Sequence, residues 1–294
     1  MMSYLIAIGI MTSIYGLLTL GLNLHYGYTG MINFGHVAFF AVGAYTSALF
    51  AVAGYPITLG VVAGTVAAAV MAYPLGILCL RLRADYLAIV TLSFSEIVRL
   101  VIISEEWLTN GTRGLAGIPR PFAGLGYGKA DLAYLALVVT GLLVAVLAIR
   151  KLTGSPFGRL IRAVRDDEDA VRSVGKDPAS MKVKVLMLGG GLAGLAGAFY
   201  AHYVTYISPD QFLPIITFYV WIAMIMGGAG TLSGAIAGSA ILLVFLEGSR
   251  FLRDIVPIVT EVQMASLRLA VIGLALILFM LYRPQGLIAD RSRT

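Results

Sequence analysis

Long apolar segments separated by short polar stretches dominate the chain. A helix needs about 20 mostly apolar residues to cross the hydrocarbon core of a bilayer. Nine segments of roughly that length lie near 3–23, 31–53, 57–80, 86–104, 132–150, 183–204, 212–227, 230–247 and 265–282. Only a short glycine-rich break separates the seventh from the eighth, so eight to ten spans fit the pattern. The pattern therefore predicts an all-α, polytopic transmembrane helical bundle of about nine spans.

Charged residues concentrate in one interruption of this pattern, residues 150–184, which holds nine of the 21 Lys and Arg residues. Connecting segments rich in Lys and Arg stay in the cytoplasm, so we expect this segment inside. Alternating the spans around it places fourteen Lys and Arg residues inside and five outside. The N-terminus is then outside and the C-terminus is cytoplasmic.

Composition agrees with a membrane protein. Charged residues make up 12% of the chain and hydrophobic residues 59%, whereas soluble domains carry about 25% charged residues. The net charge of +6 lies mostly in loops and is explained by topology rather than by an anionic partner. The single cysteine, Cys79, excludes an internal disulfide framework. The first Lys or Arg is Arg81, so we expect no cleavable signal peptide.

Residues 189–194, GGGLAG, match the dinucleotide-binding pattern G-x-G-x-x-G. That site requires a strand before the glycines and a helix opening after them, whereas these glycines lie inside a predicted span. We instead expect close helix packing through small residues spaced four apart. These residues are Gly190, Gly194, Ala193, Gly197 and Ala201. No G-x-x-x-x-G-K-[ST] sequence occurs, so any ATP that drives this protein must bind another chain.

Two glycine-rich breaks interrupt the apolar pattern, Gly27-Tyr28-Thr29-Gly30 and Gly227-Gly228-Ala229-Gly230. Interrupted helices in transporters expose backbone dipoles to a substrate near the middle of the membrane. The candidate pathway residues are therefore Asn33, His36, Gly227, Gly228 and Gly230. Each break also fits a turn between two spans combined with small-residue packing. No ligand cluster surrounds His36 in the sequence, so we expect no metal site and favour a hydrogen-bonded structural role.

The segment 86–104 carries two charged residues, Glu96 and Arg99. At 1.5 Å per residue, Glu96 lies about 15 Å into the span, near the middle of the bilayer. Ionisable groups there are costly and face a cavity or a partner, and the i, i+3 spacing allows an ion pair on one helix face. The pair either lines or braces a translocation pathway or only locks helices together, and both interpretations stay open.

The charged segment contains the pattern of two short helices. Residues 157–165 place Leu160, Ile161 and Val164 on one face and arginines on the other. The acidic run 166–169 fits a second helix start, Ala170 adds to the apolar face, and Gly175 is a natural C-terminal stop. Such helices can lie on lipid, but an acidic run opposes the negative inner leaflet. We therefore favour insertion into a protein groove.

Several stretches resemble the permease subunits of branched-chain amino acid ABC importers, most closely the M-type member of the two-permease pair. They are GLNLHYGYTGMINFGHVAFFAVGAYTSAL (21–49), GRLIRAVRDDEDAVRSVG (158–175), LAGLAGAFYAHYVTYISPDQF (192–212) and YRPQGLI (282–288). Residues 169–175 also look like a degenerate E-A-A-x-x-x-G signature of ABC importer permeases, with Asp169 at the Glu position. The resemblance covers nearly the whole chain.

The resemblance implies one transmembrane permease domain, 1–294, with a cytoplasmic coupling loop at 151–182. It implies a prokaryotic cytoplasmic membrane, a second homologous permease, two ATPases that carry ATP and Mg, and an extracytoplasmic amino-acid-binding protein. This chain would contribute no catalytic residue and no cofactor. The residues implied to contact the ATPase are Leu160, Ile161, Val164, Asp169, Ala170 and Gly175.

Two outside segments are candidates for meeting the binding protein, the loop 105–131 and the turn Ser208-Pro209-Asp210. The loop is also consistent with a solvated connector, and the turn with a helix cap.

A different class stays open: an ion-coupled secondary carrier of amino acids or small amides such as urea, with Glu96 as the ion site. The absence of a second mid-membrane acid in the sequence weakens it. No residue pattern encodes which amino acid is carried.

Overall fold

The computed structural model describes residues 2–79, 84–126 and 128–255, with short pieces at 270, 273–274, 277, 281–282 and 286–288. The helices are α1 (Met2–His25), α2 (His36–Val52), α3 (Ile57–Cys79), α4 (Ala84–Ser104), α5 (Glu106–Thr109), α6 (Lys129–Gly154), α7 (Pro156–Asp166), α8 (Glu168–Ser173), α9 (Pro178–Val204), α10 (Ile215–Gly227) and α11 (Leu232–Ile255). Three single 3-10 turns lie at Gly111–Arg113, Ala123–Leu125 and Pro209–Phe212. The described part of the chain is therefore an all-α bundle.

Six stretches of the described chain are long and apolar enough to cross a membrane. They are α1, α3, most of α4, α6, α9, and α10 together with the 3-10 turn before it. The apolar helix α2 and the apolar first part of α11 are shorter. These helices confirm the predicted polytopic bundle.

Two boundaries differ most from the prediction. α2 begins at His36 rather than at 31, because residues 30–35 are not helical. α11 continues to Ile255, past the predicted end at 247 and into the predicted loop 248–264. The rest of that loop, most of the predicted span 265–282, and the predicted inside arginines at 81, 83, 283, 291 and 293 lie outside the described residues.

Helices α1 and α9 form the centre of the bundle. Their most apolar stretches are 61% and 67% buried, against 28% for α3 and for α6. α9 packs against α1, α2 and α3. The outer helices keep rows of exposed apolar side chains, such as Val62, Val66 and Val70 on α3, which suit contact with lipid.

Glycines let α9 approach its neighbours at backbone distance. A Cβ added at Gly189 would lie 2.6 Å from the Gly21 carbonyl oxygen. A Cβ at Gly197 would collide with the carbonyl oxygen of Phe40, and Gly43 on α2 faces the backbone of Gly194 in the same way. Helices in lipid associate largely through such close packing. The predicted packing role of the glycines in 189–197 is confirmed.

The bundle has two chemically different ends. α7 and α8 lie at one end, which we call the charged end, because α6 leads into them and α9 leads away. At the other end the loop 105–128 meets the loop 205–214 through an antiparallel bridge between Leu115 and Ile207. We call these two loops the loop platform.

We expect Gly197→Ala to destabilise the folded protein by about 1–3 kcal/mol, because the added methyl group overpacks the α2–α9 contact. The matched control is Gly154→Ala at the end of α6, where nothing lies within 4 Å of the added Cβ. That substitution should leave stability unchanged or raise it slightly. Thermal unfolding of both variants in mild detergent measures the difference, and equal midpoints would contradict the close-packing account.

Candidate functional site

The connection between α1 and α2 enters the bundle. The chain turns at residues 26–29 and then runs back along α1 as the non-helical segment 30–35. Nε2 of His36, at the start of α2, lies 3.0 Å from the carbonyl oxygen of Leu18. Leu18 precedes the end of α1 by two turns of helix, so α2 begins about 10 Å deeper than α1 ends. The first glycine break is thus a turn followed by non-helical backbone inside the bundle.

Side chains from neighbouring helices form hydrogen bonds with the backbone groups that this non-helical segment leaves without helical partners. Non-helical backbone at membrane depth is tolerated only where protein or a water-filled cavity replaces lipid. The N–H of Phe34 donates to Thr91 Oγ1 at 3.0 Å, and the N–H of Val37 donates to Thr217 Oγ1 at 3.0 Å. Nε1 of Trp221 donates to the carbonyl oxygen of Asn33 at 2.9 Å. Thus α4 and α10 together hold the start of α2.

Asn33 is fully buried and joins the non-helical segment 30–35 to α1. Its Oδ1 accepts from the N–H of Gly35 at 2.8 Å, and its Nδ2 lies 3.1 Å from Nδ1 of His25. The other His25 nitrogen lies 3.2 Å from the carbonyl oxygen of Leu186 on α9. A neutral imidazole that donates from Nε2 and accepts at Nδ1 satisfies both contacts.

The candidate pathway residue His36 is also fully buried, with its ring 5.2 Å from that of His25. Its Nε2 contacts the α1 backbone described above, which fits the expected structural role. No described residue partners its Nδ1. Within the described chain, no group of three or more His, Cys, Asp or Glu side chains could hold a metal ion.

The second glycine break is a turn between α10 and α11. Gly228 and Gly230 have φ of 119° and 89°, values that L side chains rarely adopt. Asn23 near the end of α1 holds this turn, since its Oδ1 accepts from the N–H of Gly230 at 2.8 Å. Its Nδ2 also donates to the carbonyl oxygen of Thr231 at 3.0 Å. A Cβ added at Gly27 would collide with the backbone nitrogen of Gly230, so the two glycine breaks meet.

Residues 286–288 complete this meeting point. The N–H groups of Leu287 and Ile288 donate to the carbonyl oxygens of Met226 and Gly227 at 2.9 and 3.0 Å. Gly286 lies so close to the backbone of Gly228 that a Cβ would not fit. We call residues 26–30, 227–231 and 286–288 together the glycine junction. Gly227, Gly228 and Gly230 are all buried in it, so they do not line an open channel in this conformation.

Glu96 and Arg99 form the predicted ion pair on α4. The distance from Arg99 Nη2 to Glu96 Oε2 is 2.9 Å, and the side chains are 21% and 36% exposed for Arg99 and Glu96 respectively. The pair therefore lies on the surface of this chain rather than in its core. A partly exposed ion pair on a membrane-spanning helix is costly against lipid.

The charged end contains the two predicted short helices, α7 and α8. Oδ1 of Asp167 caps α8 by accepting from the N–H groups of Asp169 and Ala170. Gly175 follows α8 with φ of 74° and acts as the predicted stop. Sequence reasoning therefore located both helices correctly.

The apolar face of α7 is directed into the bundle. Ile161 and Val164 are 0% and 1% exposed within this chain, so the expectation that they enter a partner's groove does not match their placement. Because they are buried within this chain, they anchor α7 to its own bundle. Leu160 is half-buried, whereas Asp169, Ala170 and Gly175 are exposed. These four form the accessible part of the predicted coupling set.

The loop platform is ordered by cross-contacts between its two loops. The N–H of Leu115 donates to the carbonyl oxygen of Ile207 at 2.8 Å, and the hydroxyl of Tyr206 donates to the carbonyl oxygen of Arg113 at 3.0 Å. Nδ1 of His202 lies 2.8 Å from the carbonyl oxygen of Pro119. The predicted turn Ser208-Pro209-Asp210 opens a 3-10 turn in which Asp210 is exposed. The structure thus joins the two segments that were candidates for one contact surface.

The sequence pattern did not identify Asn23, Trp221 or residues 286–288 as parts of this architecture. Asn23 carried a usable signal, because a polar amide inside an apolar span must find a partner. The other contacts depend on which helices become neighbours, which the sequence pattern does not specify.

Comparisons with known proteins place these observations in a family. A family profile described as "Branched-chain amino acid transport system / permease component" matches residues 4–280. The high-affinity branched-chain amino acid transport system permease protein LivM of Escherichia coli (strain K12) is 34% identical over 309 residues, covering 96% of this chain and 69% of that protein. The probable branched-chain amino acid transport permease protein LivM of Methanocaldococcus jannaschii is 26% identical over 321 residues, covering 95% and 91%. No solved structure gives a significant match.

We expect Trp221→Phe to lower stability by about 1–3 kcal/mol, because it leaves the buried carbonyl of Asn33 without its donor. The matched control is Trp107→Phe, since Trp107 is the only other tryptophan and is 81% exposed. Each variant keeps a single tryptophan. The Trp107→Phe protein should emit at shorter wavelength than the Trp221→Phe protein and unfold like the wild type. A Trp221→Phe protein as stable as the control would contradict the role of this hydrogen bond.

Proposed function

The chain belongs to the family of branched-chain amino acid transport permeases, and we propose that it is the membrane-spanning subunit of an ATP-driven importer of leucine, isoleucine or valine. The observation that carries the proposal is the family match over residues 4–280. A helical bundle with several apolar spans and a separate charged end supports it.

The importer would contain a second homologous permease, two ATPases that hold ATP and Mg, and an extracytoplasmic amino-acid-binding protein. This chain would act in transport and not as an enzyme. The sequence supports a separate ATPase because it contains no G-x-x-x-x-G-K-[ST] motif. The protein would lie in the cytoplasmic membrane of a prokaryote, the class of organism in which the similar permeases occur.

The charged end would face the cytoplasm, with the N-terminus outside and the C-terminus inside. The concentration of Lys and Arg in 150–184 supports this orientation. The ATPase would contact the half-buried Leu160 and the exposed Asp169, Ala170 and Gly175. Ile161 and Val164 would hold α7 in place from within. The apolar side chain of Val174, 70% exposed, extends the same surface. At the opposite end, the loop platform would receive the binding protein.

The translocation pathway would lie against the surface of this chain that carries Glu96 and Arg99. A partner subunit or an aqueous path gives this ion pair the non-lipid surroundings that it requires. Asn33, His36, Gly227, Gly228 and Gly230 would brace the wall of that pathway, because they are buried inside the chain. ATP binding would shift the balance between inward-open and outward-open states through different ATPase contacts in each.

The function is tested by purifying the tagged chain from its native membrane with its companions and reconstituting them in vesicles. We expect a P-loop ATPase and a second permease to copurify, and labelled leucine uptake to require ATP. Uptake by the chain alone, driven by an ion gradient and abolished in Glu96→Gln, would instead establish the secondary carrier. Uptake in the importer that is unchanged in Glu96→Gln would exclude a pathway role for that carboxylate.

We expect Asp169→Lys to remove the ATPase from the purified complex and to abolish uptake while the chain stays folded, because it reverses charge on the exposed face of α8. The control reverses charge at the other end of the bundle, Asp210→Lys on the loop platform. That variant should keep the ATPase and lose stimulation by the binding protein. Retention of the ATPase and of normal uptake in Asp169→Lys would contradict the docking assignment.

A further inference from the structure

Helix α7 is held against the bundle by buried apolar side chains and by a hydrogen bond to α6. Ile161 and Val164, on the inner face of α7, are buried. The guanidinium of Arg162 donates to the carbonyl oxygen of Thr153 on α6 at 2.7 Å. A force applied to the exposed side of α7 or α8 therefore acts on the polar contacts that α7 makes with other helices.

Arg165 makes such a contact with the first glycine break. Its Nη1 donates to the carbonyl oxygen of Gly27 at 2.9 Å, and its side chain is only 11% exposed. Nε of Arg165 donates to Oδ1 of Asp166 at 2.9 Å, which fixes the direction of the guanidinium. Its Cγ lies against Gly30, where an added Cβ would be 3.4 Å away. Arg165 thus touches both ends of the turn that joins α1 to α2.

Gly27, which accepts this hydrogen bond from Arg165, also packs directly against the second glycine break. A Cβ at Gly27 would collide with Oδ1 of Asn23 and with the backbone nitrogen of Gly230. Those two atoms are the hydrogen-bonded pair that joins α1 to the α10–α11 turn. The carbonyl oxygen of Gly27 therefore accepts a hydrogen bond from α7, while its α-carbon packs against the turn between α10 and α11.

We propose that Arg165 is the positioning residue that transmits movement of α7 to the glycine junction, and so to α1, α2, α10 and α11 together. This rests on the proposed function, in which an ATPase moves α7 and α8. A guanidinium suits the role because its donors lie in a rigid plane, whereas a lysine ammonium is a flexible point charge. Without this contact, ATPase closure would displace α7 and leave the helices of both glycine breaks behind.

The test measures leucine uptake and ATP hydrolysis in the same vesicles containing the complete importer. We expect Arg165→Ala to retain the ATPase and most ATP hydrolysis, while leucine carried per ATP falls about tenfold, within the usual range of coupling between sites. Arg165→Lys should show the same defect in weaker form. The matched control is Arg150→Ala, an exposed arginine at the end of α6, which should keep the wild-type ratio.

A second measurement separates coupling from folding. Hydrogen exchange at the amides of Gly30 and Gly228, which donate to the carbonyl oxygens of Tyr26 and Met224, should change on ATP addition in the wild type. The change should disappear in Arg165→Ala. In the double variant with Asn23→Ala, the loss of leucine carried per ATP should be smaller than the product of the two single losses, because both residues act on one junction.

The outcomes distinguish this inference from the function on which it rests. A wild-type complex without ATP-dependent leucine uptake refutes the proposed function, whereas ATP-dependent exchange changes that require Arg165 would still support the transmission route. A normal ratio of leucine to ATP in Arg165→Ala overturns the inference alone. Loss of the ATPase from Arg165→Ala would also overturn it, by making Arg165 a docking residue.

Discussion

The architecture depends on one constraint: a polar backbone group inside a membrane bundle must find a partner within the protein. Regular helices meet this requirement by themselves. The chain breaks the helical pattern at 26–35 and at 228–231, and at both places side chains from other helices replace the missing helical partners. Thr91, Trp221 and Asn23 bind backbone atoms of these breaks, and Thr217 binds the N–H of Val37 in the first turn of α2. Hydrogen bonds, and not apolar contact alone, thereby hold α4 and α10 against the start of α2 and α1 against the α10–α11 turn.

Close packing around α9 complements these hydrogen bonds. Lipid tails are as apolar as leucine side chains, so burial of apolar surface drives helix association weakly inside a membrane. Glycine removes the side chains that would hold two backbones apart, and α9 uses it against α1, α2 and α3. The rigid centre built in this way gives the two glycine breaks a fixed frame against which they can change.

The sequence predicted most of the helices, the two short helices of the charged end and the Glu96–Arg99 pair, because these depend on local periodicity and spacing. It predicted the glycine breaks as positions but not their meeting, since Asn23 and Gly230 are brought together only by the packing of α1 against α10 and α11. The apolar face of α7 was recognised from its pattern, yet a pattern cannot tell burial in the same chain from burial in a partner. That ambiguity explains why Ile161 and Val164 were expected at an interface.

The contact of residues 286–288 with the α10–α11 turn has a consequence for biosynthesis. These residues leave the ribosome after every helix described here, yet they supply N–H donors to the carbonyl oxygens of Met226 and Gly227. During translation the carbonyl oxygens of Met226 and Gly227 therefore lack these donors until residues 287 and 288 are made. Asn23 on α1, which is made first, likewise lacks its partner Gly230 until the α10–α11 turn is made. The junction can close only after residues 286–288 have been made, so a chain that stops before them leaves these two carbonyl oxygens without the donors that residues 287 and 288 supply.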